Sequence, residues 1–300
     1  MARYDMIAPT EPIAALPVVR SIHPSDLIDV LRKGIEDFRA MPTHVVFLSL
    51  IYPVVGILIG RATFGYDVVP LLYPLAAGFA LLGPFAAIGL YELSRRREQG
   101  LDTSWKHAFD VVHSPSFRDI LAVGALLLLL FIVWIGTAQS IYERNLGYQD
   151  PATVTGLVRR VLTTPEGHNL IIVGNLVGFC FAVAAMSLSV VSFPLLLDRH
   201  VGAATAMMTS LRAVWSNPIT MALWGLIVAA GLALGFLALI FGLAVVVPIL
   251  GHSTWHLYRK VIEPDDGPRP DVETPHRGRR YAAEFPSSLF APSRAGDERS

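Results

Sequence analysis

The sequence predicts an all-α protein: a polytopic transmembrane helical bundle of six spans in three hairpins, each hairpin preceded by a short amphipathic interfacial helix. Three observations carry that expectation. Charged side chains are missing from five long windows, basic residues crowd onto alternate connecting segments, and a proline-punctuated pattern recurs three times. Composition agrees: 53% of the residues are hydrophobic and 16% charged, against roughly 25% charged in an ordinary soluble domain.

The charge-free windows are Ala40–Gly60, Val68–Tyr91, Ile120–Tyr142, Gly167–Leu197 and Ala213–Tyr258. Each of the first four suits one crossing, because a helix needs about 20 apolar residues to traverse the hydrocarbon core. The fifth, as one helix, would run to roughly 69 Å. It is therefore read as two spans with a turn near Gly231 and Gly235. The spans fall near 43–60, 68–91, 120–142, 168–197, 218–235 and 238–258. They form one membrane domain over 23–262, between a flexible segment 1–22 and a Pro-, Arg-, Asp- and Ser-rich tail, 263–300, read as disordered. Twenty of the 24 Lys and Arg residues lie on one set of segments, and Arg61, Arg144, Arg159 and Arg160 lie on the other. The positive-inside rule then places both termini in the cytoplasm.

The helix before each hairpin is read from its apolar spacing. Leu27, Leu31, Ile35 and Phe38 share a face before Pro42; Trp105, Phe109 and Val112 do so before Pro115; Met207, Leu211 and Val214 do so before Pro218. A residue preceding proline is pushed out of helical geometry, so each proline separates an interfacial helix from a crossing one. The closing segments also align. Tyr91-Glu92-Leu93-Ser94-Arg95-Arg96 matches Trp255-His256-Leu257-Tyr258-Arg259-Lys260, and Leu195-Leu196-Leu197-Asp198-Arg199-His200 keeps the leucine and arginine. An internal three-fold repeat is the expectation.

The succession His44–Gly60, Pro84–Arg97 and the closing stretch Gly251–Lys260 resembles an uncharacterised family of bacterial integral membrane proteins with a domain of unknown function, over roughly Ile22 to Pro264. Some of its members are labelled cytochrome c oxidase subunit I-like. The resemblance implies a helical inner-membrane protein and supplies no activity. The oxidase label fails on the residues. A haem–copper centre needs several histidines from different spans, and here only His252 and His256 lie within one, the last.

Chemistry-bearing residues are few. His252 and His256 are four apart and project from one helical face. With Glu92, the repeat position equivalent to His256, they form a candidate three-ligand site for a divalent first-row metal, or a haem-binding pair; belt residues at the interface are the plainer reading. No Asp, Glu, Lys or Arg falls inside any window, which argues against an ion-coupled transporter. Tyr52, Tyr73, Asn175 and the Ser187/Ser189/Ser192 set remain as polar groups, more at home as interhelical glue. Nucleophile-elbow, phosphate-loop and metalloprotease motifs are absent, so no enzyme, catalytic residue or cofactor is expected. Zero net charge gives no reason to expect nucleic acid. Arg95, Arg96 and Arg97 read as a topology determinant, with contact to anionic lipid headgroups as the alternative. The function expected is a non-catalytic structural, scaffold or accessory subunit, with membrane lipids and another membrane protein complex as partners. The alternative is a small permease or channel for an uncharged or amphipathic solute.

Overall fold

The computed structural model describes residues 16–41, 56, 72–147, 154–237 and 242–264. These residues are overwhelmingly helical. Among them, extended pairing is confined to one antiparallel bridge, Val19 with Ile262. The expected first span, 43–60, lies outside the described residues apart from Gly56, as do Pro42, Tyr52 and the tail beyond Pro264.

Four helices are long and apolar enough to cross a membrane: Tyr73–Glu98, Phe117–Leu146, Pro165–Asp198 and Pro218–Leu237. Two of them are broken where proline removes an amide donor. The first is built from α2 (Leu72–Phe79), a 3-10 turn at Ala80–Leu82, α3 (Gly83–Ala86) with Pro84 in its first turn, and α4 (Ile88–Glu98). The third is α7 (Pro165–Ser189) followed by α8 (Ser192–Asp198). At that joint the Val191 amide, which the break releases from the helix, donates to Ser210 Oγ at 3.2 Å. The unbroken α5 (Phe117–Leu146) precedes α6 (Val154–Thr163), which leads into α7; Thr164 caps α7 by accepting from Gly167 N at 3.1 Å. α5 packs along α7.

The sixth expected span differs from its reading. α10 (Pro218–Leu237) continues straight through Gly231 and Gly235, and the chain reverses after it, before α11 (Leu243–Val261). The two glycines serve close packing instead. A Cβ on Gly231 would lie 3.2 Å from Val246 Cγ1, and one on Gly235 would lie 2.8 Å from Leu243 Cδ2. Small residues at such points let two helix backbones approach. α11 itself is apolar only from Leu243 to Leu250. Its second half, His252 to Val261, is polar and mostly buried against protein.

α1 (Asp26–Ala40) covers that polar half, running antiparallel to it. Lys260 meets Asp26, Gly34 meets Ser253, and Asp37 meets His256. Its innermost stripe is Leu27, Val30, Gly34, Asp37 and Met41. The face read from apolar spacing is offset: Leu31, Ile35 and Phe38 are only half-buried. The same offset holds for the 3-10 helix Trp105–His113, which buries Ala108 and Val111 and leaves Trp105, Phe109 and Val112 exposed. It holds again for α9 (Ala203–Ser216), which buries Ala206, Thr209, Ser210 and Ala213. All three expected short helices are present, the second as a 3-10 helix. In the second and third, small residues face the protein while the large apolar side chains look outward or stand half-buried. Shape explains it: close docking of short helices selects small and polar contact residues, which an apolar-periodicity reading passes over.

Residues 18–22, at the end of the segment read as flexible, run extended and are clamped. Arg20 N donates to Val261 O at 2.7 Å and Glu263 N to Val18 O at 3.0 Å. Asn217 accepts from Ile22 N at 2.7 Å and donates to Arg20 O at 3.1 Å, while Thr220 donates to Ile22 O at 3.0 Å.

Gly34 is the closest point between α1 and α11. A Cβ there would lie 2.0 Å from Ser253 Oγ and 2.8 Å from Ser253 N. Gly34→Ala should therefore push the helices apart at a cost of about 1–3 kcal/mol. Thermal unfolding of the detergent-solubilised protein should fall to a lower temperature, and the stretch before α1 should become more sensitive to protease.

Candidate functional site

Charged and polar side chains gather in one layer, where α1, the end of α4, the 3-10 helix, α8 and the second half of α11 meet. Asp37 is its centre. The carboxylate is 3% exposed and is reached from two other helices. Ser94 Oγ donates to Oδ2 at 2.6 Å, His256 Nε2 lies 2.9 Å from the same oxygen, and Arg97 pairs with Oδ1. His252 Nδ1 lies 2.6 Å from Ser94 Oγ. An ionised Asp37 can only accept, so Ser94 donates to it and accepts from Nδ1–H of His252. That assignment leaves Nε2 of His252, fully buried, without a partner among the described residues, as is Ser253 Oγ.

Two further networks complete the layer. Arg95 forms a fork on Glu92 at 2.7 and 2.9 Å, both side chains buried. Arg96 donates to Asp102 O at 2.7 Å and approaches Asp110 at 3.6 Å. On the α8 side, Tyr258 donates to Asp198 at 2.6 Å. Trp255 and Arg259 both donate to Glu98, at 3.0 and 2.9 Å. At the far end Lys260 spans Asp26 and Asp29, each at 3.0 Å. A cleft of about 460 Å³ opens over the centre, lined by Lys33, Glu36, Arg97, Glu98, His256 and Arg259 among others.

The sequence-predicted metal residues are thus distributed as follows. His252 and His256 do share a face, and both turn toward Asp37. Glu92 is engaged by Arg95 and lies in the neighbouring network. Asp37 was invisible to spacing because it belongs to α1, more than 200 residues away in sequence. An acidic residue on the inner stripe of an amphipathic helix was the available signal. Arg95 and Arg96 are buried and internally paired, so the basic cluster is a structural feature, and only Arg97 is substantially exposed. Tyr73 donates to Asn175 at 2.8 Å, a bond between two helices of the kind expected of interhelical glue. Ser189 and Ser192 instead bond back to the Ala185 and Leu188 carbonyls four residues earlier, so those hydroxyls are satisfied locally and do not join helices.

Electrostatics follow from the pairing. Burial works to raise the Asp37 carboxyl, but hydrogen bonds from His256 and Ser94 and the nearby imidazoles outweigh it and hold the group below the ordinary carboxylate value. Asp29 is held low chiefly by the hydrogen bond from Arg32, then by Lys260. Asp26 is held low by the His23 amide and then Lys260. A depressed folded pKa stabilises the fold above the unfolded value of roughly 3.9, and that contribution is lost as pH falls through the folded value. The layer should therefore hold at neutral pH and loosen below about pH 4.

Asp37→Ala leaves the buried Ser94 and the half-buried His256 without their acceptor, while the exposed Arg97 turns to water, and should cost about 1–3 kcal/mol. Asp37→Asn keeps the shape and should cost less. Thermal scans of both variants at pH 7 and at pH 3.5 test the assignment. The gap between wild type and Asp37→Asn should narrow at the lower pH, where the wild-type carboxyl begins to lose its charge.

No curated protein and no solved structure matches the chain. A family model does match, over a narrower stretch than the sequence resemblance, leaving out α1 and everything from α9 through α11. The chain is a helical integral membrane protein, and its residues 72–198, from α2 through α8, match the family described as a predicted integral membrane protein (DUF2189).

Proposed function

We propose that the protein is a non-catalytic inner-membrane subunit, a scaffold or accessory component, with six spans in three hairpins and both termini in the cytoplasm. One observation carries the reading: among the described residues, the buried charged groups are gathered in a single layer, where they neutralise one another, in part across helices far apart in sequence. Such a network holds helices in fixed register and spends its charges on packing. An ion-coupled transporter would be expected to keep ionisable groups along its spans. The points where the chain enters and leaves this layer support the hairpin count. Among the described residues, the chain leaves it at Ser116 and is back at Asp198, and leaves at Asn217 and is back at His252. Each excursion is consistent with one out-and-back pair, and the three short helices at matching positions support an internal repeat.

Topology is tested by fusions to a reporter active only in the periplasm. Fusions after Phe64 and Asp150 should be active, and those after Gly100, Gly202 and Pro264 inactive. Activity at Pro264 would sink the six-span reading. The role is tested by isolating the tagged chain in mild detergent. A partner at fixed stoichiometry supports an accessory subunit. Solute flux through proteoliposomes of the isolated protein, with no such partner, would favour the permease alternative instead.

A further inference from the structure

We infer that the three short helices form a collar that binds anionic phospholipid headgroups of the adjoining leaflet, through Arg39, Lys106, Arg118 and Arg212 together with Phe109 and Trp215. The charge distribution points to it. Cations inside the polar layer are paired: Arg95 with Glu92, Arg259 with Glu98, Lys260 with Asp26. The four collar cations are all exposed, and their side chains have no hydrogen-bond or ion-pair partner among the described residues. Each lies close to the start of an apolar excursion. Arg39 is in the last turn of α1, and Lys106 is in the 3-10 helix ahead of α5. Arg118 is the second residue of α5, and Arg212 is six residues ahead of Pro218.

The apolar faces beside these cations supply the second, independent observation. α9 docks on the protein through its small residues, which turns Trp215 outward at 79% exposure. Arg212 and Trp215 are one turn apart on α9, and Ile219, in the first turn of α10, is 71% exposed. The stripe continues into Leu223 and Leu226 on the outer flank of α10, a face that a soluble protein would not leave uncovered. Phe109 likewise stands outward beside Lys106. An aromatic side chain at the level where apolar surface ends, with a cation next to it, has the chemistry of the headgroup boundary. The carbon stem and ring enter the acyl region, while the guanidinium or ammonium meets phosphate. Complementarity to negative charge makes the preferred occupant an anionic lipid.

This inference needs only that the apolar helices cross a bilayer; it holds whether or not the protein is an accessory subunit. The test uses the full chain in nanodiscs of phosphatidylcholine containing phosphatidylglycerol, with retained lipids counted by native mass spectrometry. Wild type should retain phosphatidylglycerol over phosphatidylcholine by about tenfold, and the preference should shrink at high salt. Arg39→Gln/Lys106→Gln/Arg118→Gln/Arg212→Gln should lose the preference. Arg144→Gln/Arg159→Gln/Arg160→Gln, which removes exposed cations elsewhere, should keep it. If the quadruple variant does not fold, Lys106→Gln/Arg212→Gln and the wild-type salt series carry the same test. No preference in wild type, or equal loss in the collar and control variants, would overturn the inference. Retention of a second copy of the chain at this face in place of lipid would overturn it as well. A chain that fails to enter the discs would overturn the membrane reading along with it.

Discussion

A carboxylate taken out of water must be met by positive charge and hydrogen-bond donors, or it destabilises the fold that buries it. Asp37 imposes that condition here. Its partners come from α4 and α11: Ser94, Arg97 and His256. Each of those helices is thereby fixed in depth and rotation relative to α1. Apolar packing alone would tolerate sliding between such helices, since aliphatic side chains are interchangeable along a stripe. A buried carboxylate tolerates little, because a shift of one turn leaves it unpaired.

Register set at one level propagates to the rest of the layer. With α11 held against α1, Trp255 and Arg259 reach Glu98 at the end of α4, and Tyr258 reaches Asp198 at the end of α8. The layer then collects the ends of apolar helices whose outer flanks are left to lipid. Glycines finish the fit where backbones come closest, at Gly34 against Ser253 and at Gly231 and Gly235 against the first turns of α11. Polar specificity at one end and close small-residue packing beyond it are complementary, because lipid supplies no hydrophobic force to drive helices together.

The division of cations follows from the same geometry. Those at the centre of the layer are consumed by carboxylates, and those at its rim are left for an external anion. The short helices mediate between the two. In the second and third, small and polar residues turn inward and large apolar side chains look outward or stand half-buried, the reverse of what an amphipathic helix does on a soluble core.

Much of the architecture was legible in the sequence by itself. Absence of charge over about 20 residues is a strong signal because ionised groups are excluded from hydrocarbon whatever the tertiary arrangement. Four of the expected stretches appear as helices of the required length and apolarity. Prolines likewise marked the boundaries of the short helices, since their effect is local. The site was only half legible. His252 and His256 could be paired from their spacing, and Glu92 was a reasonable third partner by analogy between repeats. The structure instead brings in Asp37 and Ser94 and gives Glu92 to Arg95. Which carboxylate meets which imidazole depends on how helices separated by some 200 residues are juxtaposed, and no local period encodes that. The inner face of α1 was missed for the same reason: hydrophobicity is a property of the residue, whereas the choice of contact face belongs to the pair of surfaces that meet.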